Sequence, residues 1–212
     1  MVIAAACLHH PSSAPRGALC WEWPAPVEVV SSAPVGGGRR RVRWVLNVGV
    51  ELDYVRVDLE DHAAEIVEEL GLNGDGVVLF TAAKVRRVRA ERREGVAVDA
   101  TVGITKPTWA ADPAGGFTPW HPGTINIVAQ MPVALTEAAA VNAVITLTEA
   151  KTQALLEAGV PGTGTASDAV VITWPADGPV EDFAGPRSTW GSRLAVAVHG
   201  AVAAGARPGA DR

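Results

Sequence analysis

Cysteine is nearly absent from this 212-residue chain: Cys7 and Cys20 are the two, both close to the N-terminus and outside every motif described below. That distribution argues against thiol catalysis and against a cysteine-built metal site, while a Cys7–Cys20 disulfide stays open. No run approaches the roughly 18 apolar residues of a membrane-spanning helix, and the short apolar start at residues 2–8 has no basic leader, so a cytoplasmic protein is the simplest expectation. Charge is sparse as well, at 19% of residues with a net of −5, which disfavours a nucleic-acid-binding surface. The 48% hydrophobic content, rich in Ala and Val, disfavours disorder. The glycine runs are not followed by Gly-Lys-Ser/Thr, so there is no P-loop, and no His-x-x-x-His or Glu-x-x-His pattern marks a familiar zinc hydrolase. Internal repeats are missing too.

What is present is enough chain for one sizeable core. Residues 1–26 carry Pro11, Pro15, Pro24 and Pro26 and are expected to form an irregular arm, with a single domain over 27–205 and a tail over 206–212. Trp21 and Trp23, two residues apart, point to one face of an edge strand running into residues 27–30. The clearest amphipathic helix spans 58–70, with Ala63, Ile66, Val67 and Leu70 on its apolar stripe, His62 on its surface and Gly71 ending it. Residues 76–83 form a continuous apolar run ending in Thr81 and are expected in the centre of a sheet, both faces covered. The basic stretch 84–93 is expected as a solvated edge strand, and 95–105 as another strand. A long Ala-rich helix over 136–158 has Thr136 at its start and Glu137 in its first turn. A last helix over 189–204 begins at Thr189 and holds His199 on its apolar side. These elements predict an α+β fold: a mixed, largely antiparallel sheet layered with long helices, in one domain. Strand order does not follow from the sequence, and a homo-oligomer is left open.

Uncharged polar groups inside apolar surroundings concentrate between residues 121 and 168. Asn126 stands in the apolar run 125–129, and Asn47 stands likewise in the earlier run 42–50. Thr148, Glu149, Lys151 and Thr152 lie on the long helix, and a Gly162-Thr163-Gly164-Thr165 loop leads through Ser167-Asp168 into a strand. On a regular helix Glu149 and Lys151 point about 200° apart, whereas Thr148, Lys151 and Thr152 share a face. The turn Ser31-Ser32-Ala33-Pro34-Val35-Gly36-Gly37-Gly38 either brings backbone N–H groups close to an anion or a carbonyl, or is a flexible hairpin tip. Trp109, Phe117 and Trp120 lie in the loop 106–121, which reads as a substrate rim or as a segment stapled to the core.

Five of these segments, in order, resemble the adenosylcobinamide amidohydrolase family of corrinoid salvage. They are Ser31 to Gly38 followed by Asn47, Thr81-Ala82-Ala83, Pro122-Gly123-Thr124-Ile125-Asn126, Thr148-Glu149-Ala150-Lys151-Thr152, and Gly162 to Asp168-Ala169-Val170. Departures from the family pattern are local: Leu147 stands where Ala is expected, and Ala166-Ser167 precede Asp168 where a second Thr is common. The resemblance implies hydrolysis of the amide between the aminopropanol arm and the corrin side chain of adenosylcobinamide, yielding adenosylcobyric acid for cobalamin synthesis. It implies a corrinoid substrate that brings its own cobalt, with no further cofactor or metal, and neither nucleic acid nor membrane as partner. A corrinoid-binding module without catalysis, or a hydrolase of a different amide or of a phosphoester, are the alternatives.

Amide hydrolysis needs an activated nucleophile, a polarised carbonyl and a proton for the departing amine. Lys151 is the candidate base or charge stabiliser, with a Ser or Thr hydroxyl such as Thr165 as nucleophile. Asp168 would orient Lys151 or activate water, and Glu149 would bind the departing amino-alcohol or anchor the helix. A buried Lys151–Asp168 pair that merely holds the helix against the loop is the alternative. Ser31, Ser32, Gly36, Gly37, Asn47, Thr81, Thr124, Asn126, Trp109 and Trp120 are the candidate substrate contacts.

Overall fold

The computed structural model describes residues 3–112 and 123–207. The elements are β1 (Cys7–His9), β2 (Ala18–Ser31), β3 (Gly38–Gly49), α1 (Leu59–Leu70), β4 (Gly76–Thr81), β5 (Arg89–Arg93), β6 (Val96–Gly103), β7 (Thr124–Gln130), β8 (Ala134–Leu135), α2 (Glu137–Glu157), β9 (Ala169–Trp174), β10 (Val180–Glu181) and α3 (Thr189–Ala206). The main sheet runs β4-β3-β2-β9-β7-β6-β5, with β1 on β2, and β8 pairs with β10 in a separate ribbon. Within the main sheet, pairing is antiparallel except for β3 with β4 and β7 with β9. Each of those parallel pairs is joined by a helical crossover, α1 for the first and α2 for the second, as parallel neighbours require. The result is the α+β fold, with its mixed and mostly antiparallel sheet. Among the described residues no helix is long and apolar enough to cross a membrane.

The sheet curls over on itself. Strands four places apart would lie ~19 Å from one another in a flat sheet, yet Asn47 on β3 donates from Nδ2 to Thr101 Oγ1 on β6 at 3.0 Å. Likewise Trp21 Nε1 on β2 donates to Asp99 Oδ2 on β6 at 2.8 Å, and Asn126 Nδ2 on β7 donates to the backbone oxygen of Phe80 on β4 at 3.0 Å. Between the two halves lies an apolar filling of Leu19, Trp21, Trp23, Val45, Leu79, Val128 and Val171. α1 covers one outer face with Ala63 and Ile66 against Leu46, Val48 and Val78. α2 and α3 cover the other, with Leu147, Leu155, Leu194 and Val198 against Val98, Ile125, Ile127 and Ile172.

The helix ends follow the sequence closely. Thr136 caps α2 by accepting from Ala139 N, and Gly71 ends α1 in the left-handed conformation at φ 64°. At α3 the N-cap is Ser188, one residue before the expected Thr189, with its hydroxyl accepting from Gly191 N.

Four expectations are corrected. The irregular arm over 1–26 is instead part of the sheet, through β1 and the first half of β2, and Trp21 and Trp23 sit inside the curl, not on an edge strand. Pro24 and Pro26 fall where the β2–β3 register breaks between Glu22 and Val27, so neither has to donate to the ladder. β4 is an end strand: its free edge is met by Val35, whose oxygen accepts from Val78 N at 3.0 Å, and by the Asn126 side chain. Both its faces are covered because one faces α1 and the other faces the opposite half of the sheet. His62 is buried, its Nε2 facing the backbone oxygen of Ser13 at 2.9 Å and its Nδ1 facing Tyr54 Oη at 2.7 Å. His199 is partly exposed and pairs with Glu157 at 2.7 Å. Register sets Cys7 opposite Cys20; both are free thiols, and burial pushes that of Cys20 up to about 12.

Candidate active site

The curl brings the C-terminal ends of β3 and β4 against the N-terminal ends of β7 and β9, and a cavity of about 520 Å³ opens between them. Ser32 and Pro34 reach it from the turn after β2, Tyr54 to Val57 from the loop after β3, and Phe80 and Thr81 from β4. Thr124 and residues 167–169 form the facing wall. A comparably large depression of about 570 Å³ lies on the outer face of α2, lined by residues such as Ile145, Thr148, Glu149 and Leu156. It gathers no hydroxyl–carboxylate–ammonium cluster, so the cavity at the strand ends is the better site.

Asp168 is the centre of the polar wall. Its Oδ1 accepts from Ile125 N at 2.9 Å and lies 2.5 Å from Thr165 Oγ1; its Oδ2 accepts from Lys151 Nζ at 2.5 Å and from Thr165 N at 3.1 Å. The Lys151 and Asp168 side chains are only 10% and 12% exposed. With each oxygen facing two partners, this carboxylate has little acceptor capacity left for a water proton, and its geometry is that of an orienting anion. Thr165 Oγ1 also lies 2.6 Å from the backbone oxygen of Gly123, and its one proton serves one of those two acceptors. A Cβ on Gly164 would stand 2.3 Å from Asp168 Oδ2 and 2.6 Å from Lys151 Nζ, so only glycine lets the loop close over this pair.

Toward the cavity, Ser167 Oγ lies 3.0 Å from Thr124 Oγ1 and 3.1 Å from Gly123 O. Across from this pair, Thr81 Oγ1 accepts from Ala83 N at 3.0 Å. Ser32 Oγ accepts from Val170 N at 3.0 Å, and Ser31 Oγ donates to Val170 O at 2.9 Å, which clamps the turn onto β9. At the mouth, Arg56 bonds Asp58 and Glu65 and holds both carboxyls below the usual carboxylate range. Burial raises the Tyr54 phenol.

Several candidate residues lie elsewhere. Asn126 and Asn47 share face and depth one side-chain layer below Thr124, about 7 Å in along the strand, and do not line the cavity. Asn126 Nδ2 donates to Asn47 Oδ1 at 2.8 Å, so the two amides join the sheet halves, although Asn126 Oδ1 is itself buried without a partner. A Cβ on Gly36 would stand 2.4 Å from Gly76 O at the start of β4, and one on Gly37 2.3 Å from Ala33 O within the turn itself, so both glycines allow close backbone packing, and neither lines the cavity. Glu149 and Thr148 are exposed on the outer face of α2, Thr148 bonding back to Val144 O. Lys151, three residues on, is buried instead, and Thr152 Oγ1 approaches Thr163 O at 3.3 Å. Trp109 is 47% exposed and is not among the cavity-lining residues; Phe117 and Trp120 lie outside the described residues. Tyr54, Arg56 and Ser167 were missed by sequence reasoning. The hydroxyl of Ser167 beside Asp168 was the available signal; nothing local in 50–57 showed that this loop reaches the cavity.

The model of a family described as adenosylcobinamide amidohydrolase matches residues 6–210, nearly the whole chain. The chain belongs to the adenosylcobinamide amidohydrolase family. It is accordingly a hydrolase of the amidohydrolase kind. An adenosylcobinamide amidohydrolase of Halobacterium salinarum is 33% identical over 176 residues, covering 79% of this chain and 75% of the relative. One of Methanosarcina mazei is 28% identical over 187 residues, covering 84% of this chain and 89% of the relative. In adenosylcobinamide amidohydrolase terms, the motif residues Ser32, Thr81, Thr124 and Asp168 come from segments distant in sequence and meet on one cavity.

Proposed function

We propose that this enzyme hydrolyses the amide joining the aminopropanol arm to the corrin side chain of adenosylcobinamide, giving adenosylcobyric acid and free aminopropanol for cobalamin salvage. The observation that carries the reading is the convergence of four separate family motifs on the cavity at the strand ends. That volume suits the side arm and its amide, not a whole corrin ring with its upper ligand. The amide C–N bond breaks, water supplies oxygen to the acyl carbon, and a proton goes to the departing amine.

In this reading Ser167, paired with Thr124, attacks the carbonyl and its proton passes to the departing amine. The ester so formed is then cleaved by water, which gives its oxygen to the acyl carbon and a proton back to Ser167 Oγ, while Thr81 and Ser32 bind the arm from the opposite wall. Lys151 adds positive charge from behind the wall of Thr124, Ser167 and Asp168, with Asp168 and Thr165 orienting it. Asn47 and Asn126 act from below by fixing the distance between the walls. No resident cofactor is called for, since cobalt enters as part of the substrate, and the work is placed in the cytoplasm.

Incubation with adenosylcobinamide, followed by mass-resolved chromatography, tests the reading. Both products in excess over enzyme are expected. Bound but intact substrate would make this a binding module, and neither binding nor cleavage would mean that the family likeness marks the fold alone. Ser167→Ala is expected to lower kcat at least ~100-fold; a folded variant with a near-normal rate would transfer the attack to water.

A further inference from the structure

We infer that the cavity continues outward onto an apolar platform, Val55 and Val57, which carries the flat macrocyclic body of the ligand while the reacting arm lies inside. The inference rests on the function proposed above and adds a binding subsite to it. Val55 and Val57 are 85% and 94% exposed, and both line the mouth of the cavity. Two isopropyl groups held in water beside a polar site are unusual for a loop that is free to fold inward.

This loop is not free to do so, because the residues that alternate with the valines are pinned. Ser13 O can only accept, so His62 Nε2 carries the proton toward it and Nδ1 accepts from the Tyr54 hydroxyl. The rings of Tyr54, His62 and Phe80 stack at centroid separations of 5.5 to 6.1 Å with planes 20° to 28° apart. Arg56 is forked between Asp58 and Glu65, its Nη1 lying 2.8 Å from Glu65 Oε2. With Tyr54 and Arg56 held against α1 and its N-cap, Val55 and Val57 stay outward before any ligand arrives. An apolar surface fixed in advance binds without an ordering cost. Its chemistry suits a large, rigid ligand with a methyl-bearing rim, and the limited volume of the cavity places that body outside, against this loop.

The test compares wild type with the double variant Val55→Ser/Val57→Ser. Equilibrium dialysis against adenosylcobyric acid probes the ring without the arm, and steady-state hydrolysis of adenosylcobinamide probes both. The Kd for adenosylcobyric acid and the KM for adenosylcobinamide are each expected to rise about tenfold, equivalent to about 1.4 kcal/mol, with a smaller effect on kcat. Val55→Leu/Val57→Leu is expected to restore both. Unchanged Kd and KM in the serine variant would overturn the platform while leaving the hydrolase reading intact. Valine-dependent corrinoid binding by a wild type that releases no product would uphold the platform and overturn the hydrolase reading. Wild type that does not bind adenosylcobyric acid would overturn the platform. So would a change in gel-filtration volume between wild type and the serine variant, since the valines would then serve self-association.

Discussion

Asp168 accepts from two backbone amides and Lys151, and lies within hydrogen-bond distance of Thr165 Oγ1, which makes the two ends of the ion pair unequal. Lys151→Met removes one donor of several, whereas Asp168→Asn sets an amide nitrogen against a backbone N–H, that of Ile125 or of Thr165, in either orientation. The expected loss of stability is about 1–2 kcal/mol for the first and about 3–5 kcal/mol for the second, to be read from urea midpoints. Equal losses would show that Asp168 is not the hub. Gly164→Ala should retain the fold yet lose at least ~tenfold in kcat, because its methyl can fit only by pushing apart Lys151 and Asp168. The sequence pointed to Lys151, Thr165 and Asp168 through their glycine loop and the family motif. It placed Asn47 and Asn126 among the substrate contacts, whereas they meet each other one layer below the cavity, since a carboxamide in an apolar strand signals only that it needs partners. Which partners depends on strand order, and strand order was not in the sequence.

At the level of elements, helices were more legible than strands. Caps and 3.6-residue periodicity are local, so Thr136 and Gly71 declare the ends of α2 and α1 without reference to the rest of the chain. The apolar run of β4 reports two covered faces but says nothing about two neighbours, and a curled sheet covers both faces of an end strand. The proline-rich start misled for a related reason: its turn is fastened by a distant helix. Glu69 on α1 accepts from Ser12 N, Ser13 N and the Ser13 hydroxyl, and these bonds, the Ser12 amide first, lower its carboxyl to about 2. A carboxyl depressed from its usual value near 4.5 stabilises fully above that value, and its contribution disappears as pH falls toward about 2. Hydrogen-exchange protection at Ser12 and Ser13 should therefore exceed that of Glu69→Gln at neutral pH, with the difference closing between pH 4.5 and 2.

Across the whole molecule, early and late parts of the chain are interleaved. β2 lies between β3 and β9, and Gln130 on β7 exchanges two 2.8 Å hydrogen bonds with the backbone of Ala4. The filling inside the curl draws on both parts, with Trp21, Val45 and Leu79 against Val128 and Val171. Denaturant unfolding should accordingly be one transition, with tryptophan fluorescence from the seven tryptophans and far-UV circular dichroism giving the same midpoint. Separated midpoints would reveal a half that stands alone.

The same curl also bears on how copies of the chain meet in a concentrated solution. A sheet aggregates through its open borders. The border at β4 is met by Val35 and Asn126, and that at β1 is three residues long. What is left among the described residues is β5, whose sequence Arg-Ala-Glu-Arg-Arg sets positive charge along a sizeable strand border without such cover. Two molecules approaching there would bring arginines toward arginines, which disfavours edge-to-edge pairing at a strand that lines no part of the cavity.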